Sequence, residues 1–227
     1  MTAVIFRRRA LGYSSCRTIC NASNTGIVHA RADQPRRWPD DTSIVFRWGC
    51  TANIPVDCDE VVNTAEAIHL VNDKAVFRMM LNERGLCPKT WLDPWTIDRQ
   101  GSFIVRPRNH SRGSSFHVFN CDPNEGWSEV PEMMGLCDSA GAGNYYISEV
   151  INKVAEYRIF VVQGRVLWVS RKIPRDPDEI VWNHHSGNCT FENVRWGDWP
   201  LQGVRKAVEA FNLSGLDFGG FDVIQDA

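Results

Sequence analysis

The sequence predicts an α+β protein in which a short α/β region precedes a longer, strand-rich one. Three stretches carry that expectation. "AEYRIFVVQGRVLWVSRKI" (155–173) holds two β-rich runs joined at Gln163-Gly164, the pattern of a tight hairpin. Residues 64–85 place Ala67, Leu70, Val71, Lys74, Phe77, Arg78 and Leu81 at spacings of three and four, the period of a helix. "WPLQGVRKAVEAFNL" (199–213) repeats that spacing at Val204, Val208 and Phe211, and a strand follows it.

The remaining elements follow in order. Ala-Val-Ile-Phe (3–6) reads as a first strand, and "SSCRTICNAS" as a helix with Ser14 at its N-cap. "RADQPRRWPDD" is a polar, proline-marked loop; "SIVFRWG" (43–49) is a strand stopped by Gly49; "CTANIPVDCDEVVN" reads as loop. One helix is expected from Thr64 to Gly85, with Pro88 beyond its glycine stop. "CPKTWL" is extended. "SFIVRP" (102–107) and "SFHVFN" (115–120) are strands flanking the polar loop "RNHSRGSS". A helix is expected around 125–138 and a strand at 144–151. Gly215 ends the 199–213 helix, and "GLDFGGFDVIQDA" supplies the closing strand.

Composition narrows the function classes. The chain has 227 residues, 43% hydrophobic and 23% charged, ordinary values for a globular protein. No run approaches 18 apolar residues, which predicts no membrane span and no membrane partner. "MTAVIFRRRALGYSS" puts its apolar patch before its arginines, the reverse of a signal peptide, so the expected compartment is cytoplasmic. A net charge of −2 and the lack of a recognition-helix or RNA-binding strand motif argue against a nucleic-acid partner. The basic clusters at Arg7-Arg8-Arg9, Arg36-Arg37 and 106–112 suit small anions or a solvated face. The eight cysteines form no Cys-x-x-Cys pair and are expected to be free, mostly buried thiols. Cys16 and Cys20, four apart, would share a helix face. His184 and His185, if on a strand, would point to opposite faces, which disfavours a metal pair.

The chemistry-bearing pieces come in a definite order. A strand ends in Arg106-Pro107. A Gly/Ser loop with His110, Ser111, Arg112, Gly113, Ser114 and Ser115 follows it. A strand then carries Glu149, and a hairpin opens with Glu156 and Arg158 and closes with Arg171-Lys172. The last strand carries Asp217 and Asp222. Each piece alone has a plain structural reading: a turn, a surface lysine, a paired buried acid.

Taken together, "NDKAVFRMMLNERGLCPKTW", "FIVRPRNHSRGSSFHVF", "YYISEVINKVAEYRIFVVQGRVLWVSRK" and "LSGLDFGGFDVIQD" resemble the ATP-grasp family, and in detail the group found in tailed-phage genomes. "RRRALGYSSCRTICNA" and "VFRWGCTANIP" resemble that group's N-terminal region. The resemblance implies two α+β subdomains clasping ATP behind a small α/β domain. Residues 1–70 would form the N-terminal domain and 71–227 the ATP-grasp domain, with a lid subdomain at about 98–150. It also implies ATP and Mg2+ as cofactors, a small-molecule or peptide substrate pair, and a host-bacterial cytoplasm if the gene is phage-borne. The implied reaction activates a carboxylate as an acylphosphate for attack by an amine. In such chemistry the protein positions phosphates and screens negative charge.

Residue by residue, Lys74 and Arg106 match the family's cationic phosphate contacts. Ser111, Gly113 and Ser114 match its phosphate loop. Glu149, Val150 and Ile151 match the adenine hinge, and Glu156 the ribose-binding carboxylate. Lys172 matches a further phosphate-contacting cation, and Arg158, on the Glu156 face of its strand, could reach the transferring phosphoryl group or the substrate carboxylate. Alternatives stand beside these: Lys74 on an exposed helix face, and Arg158 in an ion pair with Glu156. Asp222 matches the first metal carboxylate, whereas Asp217 more simply orients the turn. The family's next strand carries Glu-x-Asn, and the sequence reaches Ala227 before it. The fold is therefore expected to be C-terminally incomplete and phosphoryl transfer impaired, the alternative being a catalytically inactive nucleotide-binding or structural module.

Overall fold

The computed structural model describes residues 2–7, 13–22, 28–32, 38–108, 116–121, 132, 135–136, 144–184 and 186–227. These divide into two compact units, 1–70 with 214–218, and 71–213 with 219–227.

The first unit is built on β1 (Thr2–Arg7), α1 (Tyr13–Ala22), β2 (Val28–Arg31), β3 (Thr42–Trp48), β4 (Glu60–Val62) and most of α2 (Ala65–Asn72). Its sheet has the order β2-β1-β3-β4 with every pairing parallel. Central parallel strands are covered on both faces and read as unbroken apolar runs. Val4, Phe6 and Val45 fit that rule, each at most 1% exposed. Phe6 meets Trp38 edge-on at 5.0 Å. Gly49 stops β3 at φ +66°, a conformation costly for any residue with a Cβ. Strands β2 and β4 were not expected from the sequence: they are short, and their pairing with β1 and β3 is what defines them.

The second unit contains α3 (Lys74–Asn82), β5 (Thr90–Trp91), β6 (Gly101–Pro107), β7 (His117–Cys121), β8 (Tyr145–Glu149), β9 (Lys153–Val162), β10 (Arg165–Pro174), β11 (Cys189–Asn193), α4 (Leu201–Ser214) and β12 (Phe218–Asp226). One sheet runs β5-β8-β6-β7 and is antiparallel throughout. Trp91, Ile97, Phe103, Val105, Phe119 and Ile147 form its core. The other runs β11-β10-β9-β12. Its hairpin turns at Gln163-Gly164 with φ of +48° and +74°, the positive pair of a type I′ turn. Helix α4 lies on one face of this sheet: Phe211 meets Phe221 at 6.3 Å, and Gly203 leaves room for Val223, whose methyl a Cβ would reach at 3.2 Å. Alternation along β12 then puts Gly220 and Asp222 on the opposite face.

The single helix expected over 64–85 is two helices. Asp73 leaves helical geometry at φ −77° and ψ 87° and caps α3 by accepting from the Val76 amide at 3.2 Å. The apolar period runs across this break, so spacing alone does not reveal it. Strand β11 is a further element not expected. The Gly/Ser loop with its Ser111, Gly113 and Ser114 lies outside the described residues. So do the neighbouring His110, Arg112 and Ser115, most of the helix expected at 125–138, and His185. Among the described residues no helix is long and apolar enough to cross a membrane.

Candidate active site

Apart from Asp217, the described candidate residues fall in the second unit. The hairpin register sets their order on the sheet. Arg158 stands opposite Ser170 and Tyr157 opposite Arg171, so Glu156, Arg158 and Phe160 share one face of β9 with Trp168, Ser170 and Lys172 of β10.

Glu156 is 7% exposed and Lys172 6%. The Lys172 ammonium donates to Glu156 Oε1, and Lys153 donates to Oε2 at 2.9 Å. Lys153 also donates to the Ile180 carbonyl at 2.9 Å and lies 4.1 Å from the centroid of the buried Trp182 ring. Lys172 reaches the Trp182 carbonyl at 3.3 Å. Burial pushes the Lys153 pKa down, and Glu156 partly offsets this. Glu156 is therefore the acceptor of two buried lysines.

Arg158 does not pair with Glu156. Its fork closes on Asp222, Nε to Oδ1 at 2.6 Å and Nη2 to Oδ2 at 3.0 Å, and Lys172 Nζ lies 3.3 Å from the same Oδ1. Gly220 allows this approach: a Cβ there would sit 3.3 Å from Arg158 Cδ and 3.2 Å from the Phe160 ring.

Lys74 is half-buried at the start of α3 and donates to the Val71 carbonyl at 2.7 Å, so it is not an exposed surface lysine. Burial lowers its pKa, the charges of Arg78 and Arg158 lower it further, and Asp222 acts against them. Arg106 ends β6 opposite Tyr146 of β8 and shares a side-chain hydrogen bond with it. Burial is the main cause of its lowered pKa, and its Nε meets no acceptor among the described residues.

Arg78 was read in the sequence only as part of a helix face. In the structure its guanidinium lies 5.2 Å from the Tyr146 centroid, with Nη1 buried and unpartnered among the described residues. The one signal available was its position four residues after Lys74.

At the predicted hinge the Glu149 amide donates to the Lys89 carbonyl at 3.0 Å, and the Val150 amide to Ser102 at 2.8 Å. Glu149 Oε1 accepts from the Lys89 amide at 2.6 Å. No acceptor among the described residues meets the Ile151 amide. Asp217 stands apart in the first unit, where it bonds Asn63. His184 lies in a turn rather than a strand, its Nδ1 3.0 Å from the Cys189 carbonyl.

These groups can hold a polyanion, since buried guanidinium donors without acceptors favour a negatively charged partner. For a divalent ion the fit is narrower. Among the described residues no three His, Cys, Asp or Glu side chains gather as ligands. Asp222 supplies one hard oxygen donor, enough only where phosphate oxygens and water complete the shell.

No family model matches the chain, and no curated protein matches its sequence. Solved structures match it over its length. D-cycloserine synthetase DcsG superposes with a TM-score of 0.67 at 10% identity, covering 99% of this chain and 87% of that one. The ATP-grasp ligase PsnB, complexed with a precursor peptide and AMPPNP, gives 0.64 at 14% identity, with 100% and 84% covered. D-alanine–D-alanine ligase from Bacillus anthracis gives 0.64 at 10% identity, with 100% and 86% covered. The chain has the ATP-grasp fold.

Proposed function

We propose that this protein is an ATP-grasp ligase domain that binds Mg-ATP and activates a carboxylate as an acylphosphate for attack by an amine. The observation that carries this reading is that, within one unit of that fold, Lys74 lies close enough to the Arg158–Asp222–Lys172 cluster to feel the charges of Arg158 and Asp222, and Arg106 keeps a buried Nε without an acceptor among the described residues. In this reading Lys74 and Arg106 hold the nucleotide phosphates, with Ser111, Gly113 and Ser114 of the loop. The open Ile151 amide faces the adenine edge beside Glu149 and Val150.

Glu156 is assigned here to fixing the Lys172 ammonium, with any ribose contact secondary, because lysines already occupy both of its oxygens. Asp222 would hold the metal ion together with phosphate oxygens, and that ion would supply charge neutralisation on the polyphosphate. Arg158 and Lys172 would then turn from Asp222 toward the transferring phosphoryl group and screen its charge. The substrate pair is taken from peptides or small molecules; the PsnB structure holds a precursor peptide beside AMPPNP. The closer likeness to the phage-borne group is part of the same proposal. A nucleotide-binding module without turnover is the second reading, favoured by the cations that close on Asp222.

The test is thermal stability with and without millimolar Mg-ATP, followed by phosphate release with carboxylate and amine pools. Binding to the folded state must raise the melting temperature. No shift would discard ATP binding; a shift without turnover across the pools would favour the second reading.

A further inference from the structure

We infer that Arg78 is a further anion-binding residue of this site, completing with Lys74 and Arg106 a three-cation cradle for a polyphosphate chain. This rests on the nucleotide reading above and adds a residue to it. Arg78 follows Lys74 by four positions on α3, so the two project from the same side of the helix. Tyr146 ties Arg78 to Arg106. The phenol is fully buried, stands opposite Arg106 in the β6–β8 register and hydrogen-bonds it, while the Arg78 guanidinium packs 5.2 Å from its ring centroid. Two rigid forks thus converge on one aromatic side chain.

Both forks have donors to spare. Arg78 Nη1 and Arg106 Nε are buried and find no acceptor among the described residues. The nearby carboxylates are engaged elsewhere: Asp73 by Arg108, Glu149 by Arg99, Glu156 by Lys153 and Lys172, Asp222 by Arg158 and Lys172. No described carboxylate forms an ion pair with Lys74, Arg78 or Arg106. Buried guanidinium groups are retained without acid partners where a ligand supplies the negative charge. An elongated polyanion suits three separated cations better than one carboxylate, because each cation can take a different oxygen. The alternative role for Arg78 is to brace Tyr146 through its ring.

Affinity measurements on the full chain separate these roles, using ATP, adenosine and inorganic tripolyphosphate as probes. Arg78→Gln is expected to weaken ATP and tripolyphosphate about ten- to a hundredfold, the worth of a charge-assisted hydrogen bond, and to leave adenosine unchanged. Arg78→Lys keeps the charge and most of the packing and should recover part of the loss, which covers the case in which the glutamine variant folds poorly. Unaltered tripolyphosphate affinity in both variants, or an equal loss for adenosine, overturns the inference. Wild-type protein that binds tripolyphosphate but not ATP would sink the nucleotide reading and leave the Arg78 assignment standing.

Discussion

Arg158 on β9 grips both carboxylate oxygens of Asp222 on β12, at 2.6 and 3.0 Å, and Lys172 approaches the same carboxylate at 3.3 Å. The strand that presents the proposed metal ligand is thus held by two of the cations proposed to act on phosphate. In the proposed reading a divalent ion at Asp222 would compete with the Arg158 fork for the same oxygens, so metal binding would favour release of Arg158 toward the nucleotide.

Asp222→Asn tests that coupling. The pair is partly exposed, with 33% of the Arg158 and 42% of the Asp222 side chain accessible, so its worth to folding is about 1 kcal/mol or less. The variant should fold nearly as stably as the parent. ATP in the presence of EDTA should raise its melting temperature as before, whereas the extra rise given by Mg2+ should vanish. A magnesium increment equal to the parent's would remove Asp222 from the metal site.

Glu156 predicts the opposite balance, a large effect on folding. Both its oxygens are taken by lysines, with side chains no more than 9% accessible. Glu156→Gln leaves two buried ammonium groups facing a neutral amide, at a cost of about 3–5 kcal/mol in urea unfolding. Lys153→Met keeps the Lys172 pair and replaces an ammonium by an apolar chain over Trp182, so it should cost less. Equal losses would mean that the two lysines do not share the carboxylate as drawn.

The legibility of this site followed the range of the interactions. The Gln163-Gly164 turn was readable because its chemistry is local, but the bulge between Val166 and Trp168 was not, and its one-residue shift is what puts Lys172 rather than Arg171 opposite Glu156. Partner choice was not readable. Arg158 two residues from Glu156 suggested a pair with it, but Glu156 is already saturated by Lys153 and Lys172, and Gly220 on β12 opens the way to Asp222. Arg78 was hidden for the same reason: its surroundings come from Tyr146, far along the chain. The break at Asp73 was masked because apolar spacing continued through it.

Lys74 sets a pH dependence. Its ammonium is half-buried, with Arg78 on its own helix, Arg158 from β9 and Asp222 from β12 as the charged groups around it, and burial with the two arginines lowers its pKa. A lysine whose folded pKa is depressed binds its proton less tightly folded than unfolded. Its contribution to stability therefore rises as pH climbs from the folded to the unfolded pKa. Polyphosphate binding runs the other way, because it needs the charged form. ATP affinity should start to fall at a pH below the ordinary lysine range, and binding just above the lowered pKa should take up protons. Calorimetry in buffers of different ionisation enthalpy reads that uptake directly, and Lys74→Met should abolish it. Uptake unchanged in the variant would assign the proton to another group.

Asn63 and Asp217 form a reciprocal lock within the first unit. Asn63 is 4% exposed and sits at φ +63°, where asparagine is tolerated better than most residues. Its amide donates to Asp217 Oδ2 at 2.6 Å. Its Oδ1 accepts from the Asp217 and Phe218 amides at 2.7 and 3.1 Å, and its Nδ2 donates to the Phe218 carbonyl at 3.2 Å. Asn63→Ala removes three of these bonds and leaves in the left-handed region a residue without the polar side chain that makes this conformation tolerable, a loss of about 3–5 kcal/mol. Asp217→Ala strands the buried Asn63 amide and should cost about 1–3 kcal/mol. Because each residue holds the backbone that the other needs, the second substitution should cost less once the first is made. The double variant should therefore be more stable than the summed single losses imply, by at least about 1 kcal/mol in a double-mutant cycle. Strict additivity would show that the two contacts act independently, and that Asp217 serves only its own turn.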